Sequence, residues 1–327
     1  MPDTSVLTIA RGRDVHLHNV LRALDMQDTP PREVIIGVMQ DLPYANLPQL
    51  RFPVKQIKVT RPDGQLPLAR ARNAVAAAAQ GEVLAFVDVD CIPAPGYVSD
   101  VERACVPGRG LVMGEVAYLP AGATDGGIDF ARFEEIGVRH SDRQAAPAEG
   151  LRRCEDYRCF WSLNFAMHRD DWARSGGFCE DYYGYGAEDT DFGRTLDAKG
   201  VAIWWAQGAK VYHQYHDHCM PPIHHLRSVV RNADVFAARW GHRTMEHWLH
   251  GFRMMGLIDK RGGEIVILRE PDDADYALCR QTSDMPYANT RRVLDKLQEI
   301  EAGRRNSRDR VAEVEAAQAD MMHTAAE

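Results

Sequence analysis

Hydrophobic positions along the chain fall into short apolar runs separated by amphipathic stretches. Residues 6–9, 34–39 and 82–87 (apolar after Glu82) are dominated by β-prone side chains and read as strands, the last of them buried. Residues 54–59 alternate apolar and polar and read as a more exposed strand. Between them, residues 16–26 set Val20, Leu21 and Leu24 on one helical face. The alanine-rich stretch 67–79 reads as a second helix, with Pro67 in its first turn and Gly81 past its end. Strands alternating with helices predict parallel β-α-β units and hence an α/β fold.

Residues 120–150 are rich in Gly, Ala and charge and read as a mobile excursion. Regular signals resume with a strand-like run at 160–167, a short helix at 169–175, a helix at 188–199, a strand at 201–205 and a helix at 223–240. Residues 291–327 are charged and alanine-rich without a sustained heptad, which leaves helix and disordered tail both open. The pattern divides into a domain over 1–250 and a partly helical C-terminal extension over 251–327.

Composition narrows the function classes. At 327 residues and a formal charge of −8, no dense basic stripe exists, which argues against nucleic acid as a partner. No apolar run is long enough for a transmembrane helix and no signal peptide is visible, so the expectation is a cytoplasmic protein, with peripheral membrane association left open. Seven scattered cysteines form no Cys-x-x-Cys pair, so reduced thiols are expected and a zinc site is not.

Three clusters carry chemistry. Asp88-Val89-Asp90 closes the buried strand 82–87, where open α/β sheets bind ligands. Two adjacent charges repel there, and a divalent Mg²⁺ or Mn²⁺ would relieve the repulsion; a solvated turn is the plainer alternative. Residues 184–191 (Gly-Tyr-Gly-Ala-Glu-Asp-Thr-Asp) join a flexible loop to three acids at a helix start. That placement suits simple capping, and equally a general base beside a substrate hydroxyl. Residues 211–218 follow a strand with three histidines, one of which could complete a metal site begun by Asp90. Tyr182, Tyr183, Tyr185, Trp161 and Trp204 offer platforms for a sugar ring, although Trp204, within an apolar strand, reads better as core.

The runs 68–73, 81–82, 86–91, 175–181, 184–191 and 211–214, in this order, resemble the core of GT-A glycosyltransferases. The likeness is to the inverting family 2-like group, with a Gly-x-Glu-Asp segment similar to galactosyltransferase C-terminal domains and chondroitin-type polymerases. It covers roughly residues 4–240. The resemblance implies a GT-A fold, a mostly parallel central sheet flanked by helices with a helical C-terminal extension. It also implies transfer of a sugar from a nucleotide-diphosphate sugar, a UDP-sugar by default, to a hydroxyl of a glycan or small-molecule acceptor, as in polysaccharide biosynthesis.

Carried over by position, Asp90 would ligate Mn²⁺ or Mg²⁺ and Asp88 would touch the donor's ribose or sugar. His213, with His216 as its substitute, would complete the metal site. Asp189 would be the catalytic base and Glu188 its substrate-binding neighbour. Arg72 would bind the donor, Asp41 would read the nucleotide base, and Ala10 and Arg11 would flank the nucleotide. Tyr185, Gly186 and Trp161 would meet the acceptor. Two departures stand out: Tyr185 replaces the family's usual tryptophan, and residues 39–41 read Met-Gln-Asp in place of a double Asp. A retaining transferase, a sugar nucleotidyltransferase and a catalytically silent sugar-nucleotide-binding module are the alternatives. The nucleotidyltransferase is disfavoured because residues 10–13 (Ala-Arg-Gly-Arg) are too short and glycine-poor for a triphosphate loop.

Overall fold

The computed structural model describes residues 3–281, 287 and 291–303. They divide into two compact units, the first Met1–Asp217, Arg227–Met245 and Thr282–Tyr287, the second His218–Leu226, Glu246–Gln281 and Ala288–Glu327.

In the first unit, β1 (Thr4–Ala10), α1 (Asp14–Asp25), β2 (Glu33–Val38), β3 (Val54–Lys58), α2 (Leu68–Ala78) and β4 (Val83–Val87) follow the expected alternation. The chain continues through β5 (Cys91–Pro93), α3 (Tyr97–Ala104), β6 (Leu111–Met113), β7 (Val116–Tyr118), α4 (Phe130–Ile136) and β8 (Val138–Arg139). Then come β9 (Leu151–Cys154), β10 (Asn164–His168), α5 (Arg169–Ser175), α6 (Glu188–Ala198), β11 (Ile203–Ala206), β12 (Val211–His213) and α7 (Leu226–Trp240). The main sheet has eight strands in the order β3-β2-β1-β4-β10-β6-β11-β9. Its β3-β2-β1-β4 half is parallel, and β10 runs antiparallel to β4 and β6. A smaller sheet is ordered β5-β12-β7-β8.

Alternate strand residues serve opposite cores. Val6, Val34, Ile36 and Ala85 join Leu17, Val20 and Leu21 of α1 and Val98 of α3. Leu7, Ile9, Ile35 and Phe86 join Ala71 and Val75 of α2 and Phe192 of α6. Burial on both faces is the reason these runs are continuous and not alternating. At Gly37 a Cβ would stand 3.1 Å from both Ile9 Cγ2 and Val75 Cγ1, so the alanine-rich α2 lies close against the sheet. Strand order reverses at β1, whose neighbours are β2 on one side and β4 on the other, and such a point opens a crevice at the carboxyl ends of the strands. Residues 10–13, 39–41 and 88–90 share that edge.

The excursion expected at 120–150 is mostly turns but carries two regular elements, α4 and β8. α4 buries Phe133 completely, with its ring centroid 5.4 Å from Tyr212, and β8 pairs with β7. A few apolar anchors suffice to order a segment whose average composition is polar. The strand expected at 160–167 begins only at Asn164, because residues 157–159 form a 3-10 turn and Phe160 packs against Phe165 and Phe192.

The second unit holds α8 (Glu246–Met254), a hairpin of β13 (Ile258–Arg261) and β14 (Glu264–Ile267), and α9 (Asp273–Cys279). Phe252, Leu257 and Cys279 are fully buried. Asp272 caps α9 through a capping box with Asp275. Of the C-terminal stretch, residues 291–303 are helical and residues 304–327 lie outside the described residues. Among the described residues no helix is long and apolar enough to cross a membrane.

One buried link secures the end of β4. Tyr97 donates its hydroxyl to Asn164 Oδ1 at 2.8 Å, and Asn164 Nδ2 donates to the carbonyl of Ala209 at 2.6 Å. Tyr97→Phe strands the buried Asn164 oxygen and should lower unfolding stability by about 1–3 kcal/mol, read from the denaturant midpoint.

Candidate active site

The carboxyl end of β4 turns sharply: Cys91 N donates to Asp88 O at 2.8 Å, and Val89 N to Asp88 Oδ1 at 3.0 Å. β5 then pairs antiparallel with β12, setting His213 opposite Cys91, and Gln214 N donates to Asp90 O at 2.7 Å. This register carries a histidine 123 residues downstream to the acid pair. Asp90, His213 and His216 each present a ligand atom, all within 4.8 Å of one another, and His216 Nε2 lies 3.5 Å from Asp90 Oδ2. Asp90 Oδ1 is buried and has no hydrogen-bond partner among the described residues. A carboxylate beside two imidazoles is a donor set suited to a Mn²⁺-type ion.

Neighbours unmarked in the sequence complete this corner. Arg13 Nε and His16 Nε2 each lie 3.8 Å from Asp90 Oδ1. The histidine loop is fastened to α1 by a buried amide pair, Asn19 Nδ2 to Gln214 Oε1 at 2.8 Å, and by Gln214 Nε2 to His16 O at 3.2 Å. Because His213 is also paired with Tyr118 on the parallel strand β7, their rings stack at 4.8 Å.

The second acidic segment starts α6. Its approach is bent by left-handed residues, Gly184 (φ +75), Gly186 (φ +93) and Ala187 (φ +74), the last an unusual conformation for a residue with a Cβ. The buried Asn232 of α7 holds this turn, donating Nδ2 to the carbonyls of Tyr183 (3.1 Å), Tyr185 (3.3 Å) and Gly186 (2.9 Å). At Gly184 a Cβ would stand 2.3 Å from Ser228 Cβ, so only glycine fits.

The three acids that follow have different partners. Glu188 accepts from Arg72 Nη1 at 3.0 Å in a pair buried on both sides. Asp191 is fully enclosed and accepts from Arg239 Nε (2.8 Å), Trp240 Nε1 (2.7 Å) and Tyr182 OH (3.1 Å), so it anchors the fold. Asp189 hydrogen-bonds only Thr190 among the described residues. Partly exposed but ringed by protein, it is pushed up to about 6 by burial and then by Glu188, with Arg72 pulling the other way. Burial and then Asp90 push Asp88 up to about 6, again against Arg72. Arg72 therefore acts on both motifs at once, and Asp88, Asp90, Arg72, Glu188, Asp189, His213 and His216 gather at one place.

The other expected residues have the following surroundings. Ala10 is buried at the end of β1, and exposed Arg11 donates to Gly64 O at 3.0 Å. Asp41 is almost fully exposed and pairs with Lys58 at 3.4 Å, with no recorded contact to the acid cluster. Tyr185, on the turn before α6, is 37% exposed and lies within electrostatic reach of Asp189, Glu188 and Asp88. Trp161 is half-buried beside His140 at a ring distance of 4.9 Å. Trp204 packs in β11 and donates Nε1 to Arg109 O at 2.8 Å, the core role expected of it.

Residues 5–127 match the family model described as "Glycosyl transferase family 2", and residues 146–217 match that described as "N-terminal domain of galactosyltransferase". The first span contains Asp88 and Asp90, the second Glu188, Asp189, His213 and His216. Two separate spans of the chain are thus each similar to a glycosyltransferase family model. Among curated proteins the chain is similar to a validoxylamine A glucosyltransferase of Streptomyces hygroscopicus subsp. limoneus, 26% identical over 62% of this chain and 49% of the relative. A second protein of that name, from subsp. jinggangensis, is 28% identical over 42% of this chain and 36% of the relative. The chain thus spans about half or less of the length of these curated relatives. Among solved structures it is similar to S. aureus TarS at 14% identity, covering 77% of this chain and 43% of that one with a TM-score of 0.47. The mannosyltransferase PcManGT from Pyrobaculum calidifontis, solved with GDP-Man and Mn²⁺, is 17% identical, covering 74% and 66% with a TM-score of 0.45.

Replacing Arg72 by Met leaves Glu188 buried without its cation. The expected cost is about 3–5 kcal/mol, measured by denaturant unfolding beside the wild type.

Proposed function

We propose that this chain transfers a sugar from a nucleotide-diphosphate donor, by default a UDP-sugar, to an acceptor hydroxyl with inversion at the anomeric carbon. The observation that carries the reading is the meeting of the Asp90–His213–His216 triad with an uncommitted carboxylate, Asp189, across the shared cation Arg72. The curated relatives are named glucosyltransferases of validoxylamine A, which favours glucose as the sugar and a small hydroxylated molecule or glycan as acceptor.

A divalent ion held by Asp90, His213 and His216 would supply positive charge against the departing diphosphate. Asp88 faces the donor sugar or ribose from the same turn. Arg72 keeps Asp88 and Asp189 from repelling the donor as strongly as bare carboxylates would. On the other side of the sugar, Asp189 takes the proton from the attacking acceptor hydroxyl, and Tyr185 and Gly186 of the preceding turn shape the acceptor's seat. Inversion is favoured because Asp189 is free to act as a base towards the acceptor, which a single direct displacement requires.

Two outcomes follow. Asp189→Asn should reduce turnover by about 10²–10⁴-fold and leave donor binding intact. Because burial beside Glu188 raises Asp189, its basic carboxylate form is lost as pH falls through about 6, so kcat should drop tenfold per pH unit below that point and level off above it. A kcat profile flat to pH 5 would show that another group is the base. Asp90→Ala should weaken Mn²⁺-dependent UDP binding at least about tenfold by calorimetry, or ~1.4 kcal/mol; unchanged affinity would remove Asp90 from the metal site.

A further inference from the structure

A buried cation outside the acid cluster has no counter-charge among the described residues. Arg143, between β8 and β9, is 4% exposed, and neither terminal guanidinium nitrogen has a hydrogen-bond partner among the described residues. Its guanidinium lies 5.2 Å from the ring of Trp161 and 5.1 Å from that of Trp205. Trp205 is fully buried, and its indole Nε1 likewise lacks an acceptor among the described residues. The indole faces attract the cation but leave its in-plane N–H groups unmet. Guanidinium and indole are donors only, and the guanidinium keeps its proton at any working pH. Burial weighs most on Arg143 and disfavours its charged form; the side chains next in effect are Tyr118, Cys91, Cys159 and Cys154, none of them a carboxylate. Buried donors in a native fold have acceptors, so a cluster of three without one points to an absent ligand or water.

Tyr118 ties the cluster to the reacting centre. Its ring stacks on His213, and its hydroxyl lies within electrostatic reach of Arg143, Tyr185 and Asp88. We propose that Arg143, backed by Trp161 and Trp205, is an oxyanion subsite beside the transfer centre, taking a phosphate or carboxylate through the planar fork of its guanidinium. Its place beside that centre rests on the transferase reading. The oxyanion can come from the donor's diphosphate or from an acidic group on the acceptor.

The test uses the full chain without metal. Thermal unfolding of wild type in sodium phosphate, against chloride at equal ionic strength, should show a saturable stabilisation that Arg143→Met loses. Arg143→Lys keeps the charge without the fork and should raise the phosphate midpoint about tenfold. Phosphate should also change tryptophan emission in the wild type, a readout that needs no variant to fold. Competition identifies the source: displacement of phosphate by UDP with Mn²⁺ assigns the subsite to the donor, and displacement by glucuronate alone assigns it to the acceptor. Wild type indifferent to phosphate over chloride, or Arg143→Met retaining the full shift, overturns the proposal. Phosphate binding that neither competitor displaces overturns its placement beside the centre. Since phosphate is read without donor or turnover, failure here is distinct from failure of the transferase reading, which the Asp90→Ala titration tests.

Discussion

Three carboxylates, Asp88, Glu188 and Asp189, are kept within one cleft by the guanidinium of Arg72, which bonds Glu188 at 3.0 Å and opposes the upward shift of the other two. Like charges drawn together under protein cannot all stay ionised without a counter-charge. Arg72 reaches this position because α2 lies flat against the sheet over Gly37, and its own stem is buried with it. The link also joins α2 to α6, so the start of α6 is anchored to the parallel half of the sheet, where the Asp-x-Asp turn emerges.

Partners, more than positions, separate the roles of the acids at the start of α6. Asp191 is enclosed by Arg239, Trp240 and Tyr182, and Glu188 is engaged by Arg72. Among the described residues, Asp189 accepts only from the hydroxyl and backbone N–H of Thr190. The turn before it is held from behind by Asn232, whose single amide nitrogen meets three carbonyls. A strained turn persists where its surroundings over-determine it, as Asn232 and Ser228 do here.

The opposite corner is assembled by strand register. The antiparallel pairing of β12 with β5 sets His213 against Cys91, and the parallel pairing with β7 sets it against Tyr118. One strand thereby joins the acid turn, the imidazole of His213 and the ring of Tyr118. Arg13 and His16, arriving from α1, place further nitrogen donors beside Asp90.

Local pattern was enough for the α/β alternation, the buried parallel strands and the acids at the end of β4 and the start of α6, because period and strand termini are properties of neighbouring residues. The same holds for the Gly-Tyr-Gly turn, whose left-handed backbone asks for glycine at Gly184. Whether Glu188, Asp189 or Asp191 is structural could not be read there, since the deciding cations, Arg72 and Arg239, are 116 and 48 residues away. Gln214, Asn19, Tyr118, Asn232 and Arg143 carry no local mark at all. A buried amide or guanidinium looks like a surface residue until the elements that enclose it are brought together, and only the packed fold supplies that enclosure.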